Sequence, residues 1–270
     1  MPDTPEAWFQ ATVDFTDPTA AEHAGVHHLA PALNGLTWFL TRKSAWRCRI
    51  HLPPHAEEHP AAQARVAKRL DELAATGTIN GWKQSVYEPE TRAFGGEEAM
   101  DSAHTLFCAD THHTLAFLAA TETGRDRRRE MSLLLCRTLM RAASLDHYEQ
   151  GDVWDRVAAT RPLPANGPQA PQAFGRQVQR LLSVDPGPEA PHFATGGAFH
   201  GFAPWARTFQ TCGRDLSALH TQGRLKRGLR AILAHHVLFH FNRLGVGAHA
   251  QAALAHTAAR VVFDPETVDR

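Results

Sequence analysis

Apolar and polar residues alternate over residues 8–15, so that the apolar side chains fall on one face. This period of two predicts a β-strand with one buried face. Strands are predicted in the same way over residues 36–42 and 46–52, and the short polar segment 43–45 between them predicts a hairpin. A further strand is predicted over residues 82–87.

Helical signals alternate with the strands in the first half of the chain. Asp17 and Pro18 provide a capping residue and a first-turn proline for a helix that runs towards Leu29. Apolar positions spaced three and four apart over residues 66–73 predict a second helix that ends at Gly77. After Gly96 the helical period dominates, and it predicts helices over residues 97–108, 111–120, 127–143, 153–160, 203–221, 225–241 and 248–260.

Segments 161–171 and 185–201 are rich in proline and glycine, which is typical of surface loops. Strands that come first and helices that follow predict an α+β fold. We expect an antiparallel or mixed sheet in the N-terminal part, covered by a mostly helical C-terminal part. We treat residues 1–270 as a single domain.

The amino-acid composition limits the kinds of partner that the protein is expected to bind. Lys and Arg number 28, as do Asp and Glu, so the molecule has no broad positive field for nucleic acid. The four cysteines form no Cys-x-x-Cys pair and no secretion signal is evident near Met1, which favours a cytoplasmic protein with free thiols. No apolar run reaches the length of a membrane span.

The strand over residues 46–52 places Arg47, Arg49 and His51 on one face. Arginine forks suit two-point binding of a carboxylate, so this face fits an anionic substrate group. The alternative is the solvated face of an edge strand, and the pattern alone does not separate the two.

The segment from Tyr87 to Gly96 joins a strand to a helix and contains Glu90, Arg92 and a glycine pair. Such a loop can hold polar side chains over a cleft, and the glycines allow a ligand to approach the backbone. The alternative is an ordinary connection. The segment matches no phosphate-loop or dinucleotide fingerprint.

His236 and His240 lie four residues apart on a predicted helix. This spacing suits a metal, but Val237 stands where the metalloprotease helix needs glutamate, so a general acid or base fits better. Buried structural histidine is the alternative. Asn242 and Arg243 end the same helix, where capping alone would explain them.

Several segments together resemble one family, the thiopeptide-type bacteriocin biosynthesis proteins, which are similar to the C-terminal domain of lantibiotic dehydratases. The resemblance covers nearly the whole chain. It rests on residues 38–49, 87–96 with 99–101 and 106–107, 128–154 and 235–245.

The resemblance implies a lyase that matures a ribosomally synthesised peptide, without a metal or another cofactor. A partner dehydratase glutamylates serine or threonine on a leader-bound precursor, and this domain eliminates glutamate to leave dehydroalanine or dehydrobutyrine. A homodimer is compatible with this reading. The site it implies has catalytic residues Arg49, Glu90, His236 and His240, with Arg47, Tyr87, Arg92, Asn242 and Arg243 binding substrate.

Two positions depart from the elimination pattern. Ala93 stands where the family loop carries arginine, and the family histidine falls near Leu238, so His236 or His240 would have to replace it. The same fold serves pyridine synthases, which perform a formal [4+2] cyclisation on a dehydrated thiopeptide precursor. A third reading is a non-catalytic subunit that binds leader peptide or the glutamylating partner.

Overall fold

The computed structural model describes residues 7–42, 45–121, 126–163 and 172–264. Its contacts group into two compact units. The first contains Met1–Pro89 and Phe107–Arg125, and the second contains Glu90–Leu106 and Asp126–Arg270. That residues 1–270 act as a single domain stays a prediction.

The first unit contains a four-stranded sheet. Its strands are β1 (Trp8–Phe15), β2 (Trp38–Arg42), β3 (Trp46–His51) and β4 (Ile79–Ser85), in the order β2-β3-β1-β4. Every neighbouring pair is antiparallel, which confirms the α+β class and selects the antiparallel alternative. The predicted hairpin is confirmed as β2 and β3, although residues 43 and 44 of its turn lie outside the described residues. β4 begins and ends earlier than predicted.

One face of the sheet forms the core of this unit. Phe9 and Val13 of β1 and Cys48 and Ile50 of β3 lie in it, each at most 3% exposed. Helix α3 (His59–Ala75) contributes buried residues such as Leu70. The alternation of β1 and β3 therefore predicted the buried face correctly.

A short helical run precedes β2. It consists of α1 (Ala21–Ala24), a π-helical turn (Gly25–Leu29) and α2 (Ala30–Ala32). The prediction that Asp17 caps this helix is wrong. The Asp17 carboxylate instead accepts hydrogen bonds from the Thr19 backbone N–H and hydroxyl, so it closes a turn before the helix begins.

The rest of the described chain is mostly helical. α4 (Glu97–Thr121) is one helix where two were predicted, because no glycine or proline interrupts it. Residues 97–106 of α4 belong to the second unit and residues 107–121 to the first. The other helices are α5 (Arg128–Ala142), α6 (His147–Thr160), α7 (Gln172–Ser183), α8 (Ala203–Thr221), α9 (Leu229–Leu244) and α10 (Ala248–Phe263).

Local chemistry sets the helix ends of the second unit. α6 begins before the predicted residue 153, because Asp146 and Glu149 form a capping box. α9 ends at Gly245, whose φ of 75° is the expected left-handed cap.

Turns over residues 185–201 bury Phe193 and Phe199, so this loop packs more than its composition predicted. Residues 164–171 of the other predicted loop lie outside the described part. Within the described residues, no helix combines the length and hydropathy that a membrane span needs.

Candidate functional site

Arg49 is held firmly on the second face of the sheet, opposite the core. Its Nε donates to the Gln10 side-chain oxygen at 2.7 Å, and its Nη1 donates to the Thr41 hydroxyl at 2.6 Å. The guanidinium carbon lies 5.4 Å from the ring centre of Phe39 and 5.0 Å from that of Tyr87. Two aromatic faces and two hydrogen bonds thus fix the plane of the cation.

Gln10 connects Arg49 to β4. It is 7% exposed, and its amide nitrogen donates to the Ser85 hydroxyl at 2.7 Å and to the Val86 carbonyl at 3.2 Å. These two bonds orient the amide so that its oxygen faces the guanidinium. Arg49 is therefore preorganised by its neighbours before any ligand binds.

Arg47 lies on the same face, between Thr12 and Thr41 in register, and its side chain has no hydrogen-bond partner among the described residues. β3 pairs with a strand on each side, so the alternative of a solvated edge strand is wrong. On the opposite face, burial raises the pKa of the Cys48 thiol to about 12, against a smaller lowering by Arg49. That thiol is also 0% exposed, so it is not placed to act as a nucleophile.

In the second unit, Glu90 opens a tight turn that leads into α4. The backbone N–H of Phe94 donates to the Glu90 carbonyl at 3.0 Å, and that of Gly96 donates to the Thr91 carbonyl at 2.9 Å. Gly95 and Gly96 have φ values of 98° and 114°, a region in which side chains are strained. The glycine pair is therefore what lets the chain turn directly after Glu90.

Glu90 forms a hydrogen bond with His235 of α9. The distance from Nε2 to the carboxylate is 2.7 Å, and the side chains of His235 and Glu90 are 22% and 53% exposed. The rings of Phe94 and Phe239 lie 4.8 and 5.1 Å from the imidazole. A carboxylate only accepts, so Nε2 donates in this bond, and the neutral tautomer that fits it carries its lone pair on Nδ1. A partly exposed imidazole oriented by a carboxylate is suited to proton transfer.

The structure buries the two histidines that were predicted to act. His236 is 2% exposed and lies against Phe94, while His240 is 1% exposed and lies against Trp205 and Phe209. A peptide substrate has no access to them in this conformation, and the alternative of buried structural histidine describes both. Their catalytic role stays a prediction that the burial does not favour.

The remaining predicted residues separate into buried and exposed groups. Arg243 is 1% exposed and therefore buried, and the Asn242 amide oxygen accepts from Gln251 of α10 at 3.0 Å. Tyr87 is buried, at 7% exposure, and its ring contacts the Arg49 guanidinium. Arg92 is exposed, and its side chain has no hydrogen-bond or ion-pair partner within the described ranges.

His235 was missed by the sequence reasoning, although the phase of α9 contains a signal for it. Residues 232–233, 236–237 and 240–241 form the buried stripe, and the partly exposed positions are 231, 235, 239 and 242. These partly exposed positions are also three or four residues apart, which is the spacing of one face of a helix. Residue 235 is thus the histidine of this helix that faces away from the core.

In the first unit, Arg49 and Arg47 offer guanidiniums that can hold a carboxylate. In the second unit, Glu90 and His235 form an oriented acid–base pair that can move a proton. Among the described residues, no group of three His, Cys, Asp or Glu side chains is placed to hold a metal ion.

Solved structures show the same fold. The tRNA-dependent lantibiotic dehydratase MibB from Microbispora sp. 107891 is similar with a TM-score of 0.66 and 15% identity, over 100% of this chain and 29% of MibB. The pyridine synthase TbtD from thiomuracin biosynthesis has a TM-score of 0.63 and 16% identity, over 97% of this chain and 99% of TbtD. TsrL has a TM-score of 0.61 and 18% identity, over 96% and 95% of the two chains.

No protein of curated function matches the sequence. The family model for the C-terminal part of lantibiotic biosynthesis dehydratases matches residues 8–262, which is nearly all of the chain and includes both units. The chain therefore belongs to the lantibiotic biosynthesis dehydratase C-terminal family.

Proposed function

We propose that this protein matures a ribosomally synthesised peptide by eliminating glutamate from glutamylated serine or threonine side chains. The observation that carries the proposal is the 2.7 Å hydrogen bond between Glu90 and the partly exposed His235. Family membership supports a substrate of this class, and the fixed guanidinium of Arg49 supports a substrate group that bears a carboxylate.

His235 is the base in this proposal. Its Nδ1 removes the α-proton of the glutamylated residue, and the electrons of the Cα–H bond form the Cα=Cβ double bond. The Cβ–O bond breaks and its electron pair leaves with glutamate. Glu90 stabilises the imidazolium that forms, because its carboxylate already accepts the Nε2 proton.

Arg49 binds a carboxylate of the peptide substrate in this proposal, with Arg47 as the second cation on the same face. Binding an anion between fixed donors costs little reorganisation, which is why the Gln10, Thr41 and aromatic contacts matter. Tyr87 acts through its ring, which helps to hold the guanidinium.

The test is incubation of the purified protein with a synthetic leader-containing peptide that carries one glutamylated serine. We expect the peptide mass to fall by one glutamic acid. H235N and E90Q should each slow the reaction by about 10²- to 10⁴-fold, the usual contribution of a positioned acid or base. R49A should abolish turnover.

His220, an exposed histidine on α8, provides the matched control, since H220N should keep the wild-type rate. An unchanged peptide mass with the wild-type protein would rule out elimination. If H235N turns over normally while H236N does not, the assignment of the base is wrong and the buried histidine acts.

A specific observation favours a second function, pyridine formation by [4+2] cyclisation. Ala93 leaves the loop without the arginine that the elimination pattern has at this position. A peptide that carries two dehydroalanines separates the functions, because cyclisation and aromatisation would release the leader. Tight leader binding without any change in mass would indicate the scaffold role instead.

A further inference from the structure

The segment 224–230 is basic and exposed. It contains Arg224, Lys226, Arg227 and Arg230 and no acidic residue, and all four cations are solvent-exposed. The whole chain has a formal net charge of zero, so this surplus is local rather than part of a generally positive surface. We call residues 224–230 the basic strap.

Two hydrogen bonds fasten the basic strap to the loop that follows Glu90. The Lys226 backbone N–H donates to the Gly95 carbonyl at 2.8 Å, and Nη1 of Arg227 donates to the Ala93 carbonyl at 2.7 Å. The aliphatic carbons of Lys226 lie over Gly96, 3.3 Å from where a Cβ would stand. The cations of the strap therefore lie beside the loop that contains Glu90 of the proposed acid–base pair.

Acidic partners neutralise the two ends of the strap. Arg224 forms an ion pair with Glu98, and Arg230 lies 3.2 Å from Asp152. These pairs hold the strap in place and leave its middle unneutralised.

Lys226 and Arg227 in the middle of the strap have no acidic partner within the described residues, and neither does Arg92 on the same loop. Glu97 follows Gly96 but forms no ion pair with any of the three. Among the described residues, three cations without an ion-pair partner thus lie on or beside the loop that positions Glu90.

We propose that Lys226, Arg227 and Arg92 form a docking surface for an acidic segment of the peptide substrate. That the partner is the substrate rests on the proposed function. Exposed carboxylates are the group that a cluster of unneutralised cations attracts, and such a cluster mainly speeds encounter and makes binding salt-dependent. The class of ligand is therefore an acidic peptide stretch.

The probe is a fluorescein-labelled peptide of alternating glutamate and serine, compared with the same peptide in which glutamine replaces glutamate. Fluorescence anisotropy at low salt should show roughly tenfold tighter binding of the glutamate peptide. The preference should fall towards unity at high salt, because added ions screen exposed charges.

K226E/R227E should abolish the preference. K226E alone should reduce it several-fold while it keeps the backbone bond to Gly95, so loss of folding does not explain the result. R214E is the matched control, because Arg214 on α8 is exposed and has no partner in the described chain. The same measurements on R49A protein test whether the preference comes from binding at Arg49. We expect R49A to keep the preference.

Equal affinity for the two peptides would overturn the docking surface, as would an equal loss in R214E and K226E. The outcome is independent of the proposed chemistry. If the preference is present but no glutamate is eliminated, only the proposed function fails. If elimination occurs and no preference is found, only the docking surface fails.

Discussion

Replacing Gly95 by alanine should destabilise the protein strongly, because this glycine meets two constraints at once. Its φ of 98° costs an alanine about 1–2 kcal/mol in backbone strain. The new Cβ would clash with Cδ1 of Ile232, well inside the contact distance of about 3.5–4.0 Å. Ile232 is 0% exposed, so it cannot turn out into solvent, and overpacking adds about 1–3 kcal/mol.

The two contributions together predict a loss of about 2–5 kcal/mol in the free energy of unfolding. Urea denaturation at neutral pH measures it. The matched control is G223A, since Gly223 has a φ of 68° but nothing within 4 Å of its Cβ position. G223A should show only the strain, about 1 kcal/mol.

A double-mutant cycle isolates the contact. I232V removes the methyl group that the new Cβ would meet, so the cost of G95A should be smaller in the I232V background by about 1 kcal/mol or more. If G95A costs no more than G223A, or if I232V leaves the cost of G95A unchanged, a clash with Ile232 does not destabilise G95A.

Three further outcomes are expected. R49K should slow glutamate elimination by about a hundredfold in a mass-spectrometric assay, because lysine keeps the charge but loses the two fixed donors of the fork. Q10L should raise KM for the glutamylated peptide more than it lowers kcat, since it frees the guanidinium without removing it; an unchanged KM would contradict the positioning role. Burial lowers the pKa of His113, with His112 adding to the shift and Asp110 opposing it. The unfolded chain then binds more protons below its ordinary pKa of 6.5, so stability is lost as pH falls, and H113Q should flatten the change in urea midpoint between about pH 7 and pH 5.

The strands and the arginine face were predictable because each depends on short-range alternation. In β3 the pattern separates Arg49 from Cys48 without any knowledge of the neighbours. What the pattern could not show is that β3 has a partner on both sides. This depends on a pairing with β1, which is distant in sequence.

Long-range partners also explain the misplaced helix break and the missed histidine. The predicted break fell at residues 109–110, yet Asp110 and the neighbouring Thr111 are at most 1% exposed, and the Thr111 hydroxyl accepts from the Leu40 backbone N–H at 3.1 Å. Glu90 and His235 are 145 positions apart. Local periodicity identifies the face of a helix, but it does not identify the partner.

The order of the strands has a consequence for synthesis of the protein on the ribosome. β1 emerges first but lies between β3 and β4, so its second edge stays unpaired until β4 has been made. The amide of Gln10 gains its two acceptors, at Ser85 and Val86, only at that point. A nascent chain that ends before β4 therefore already contains Arg49, but it lacks the acceptors that orient Gln10 and the ring of Tyr87.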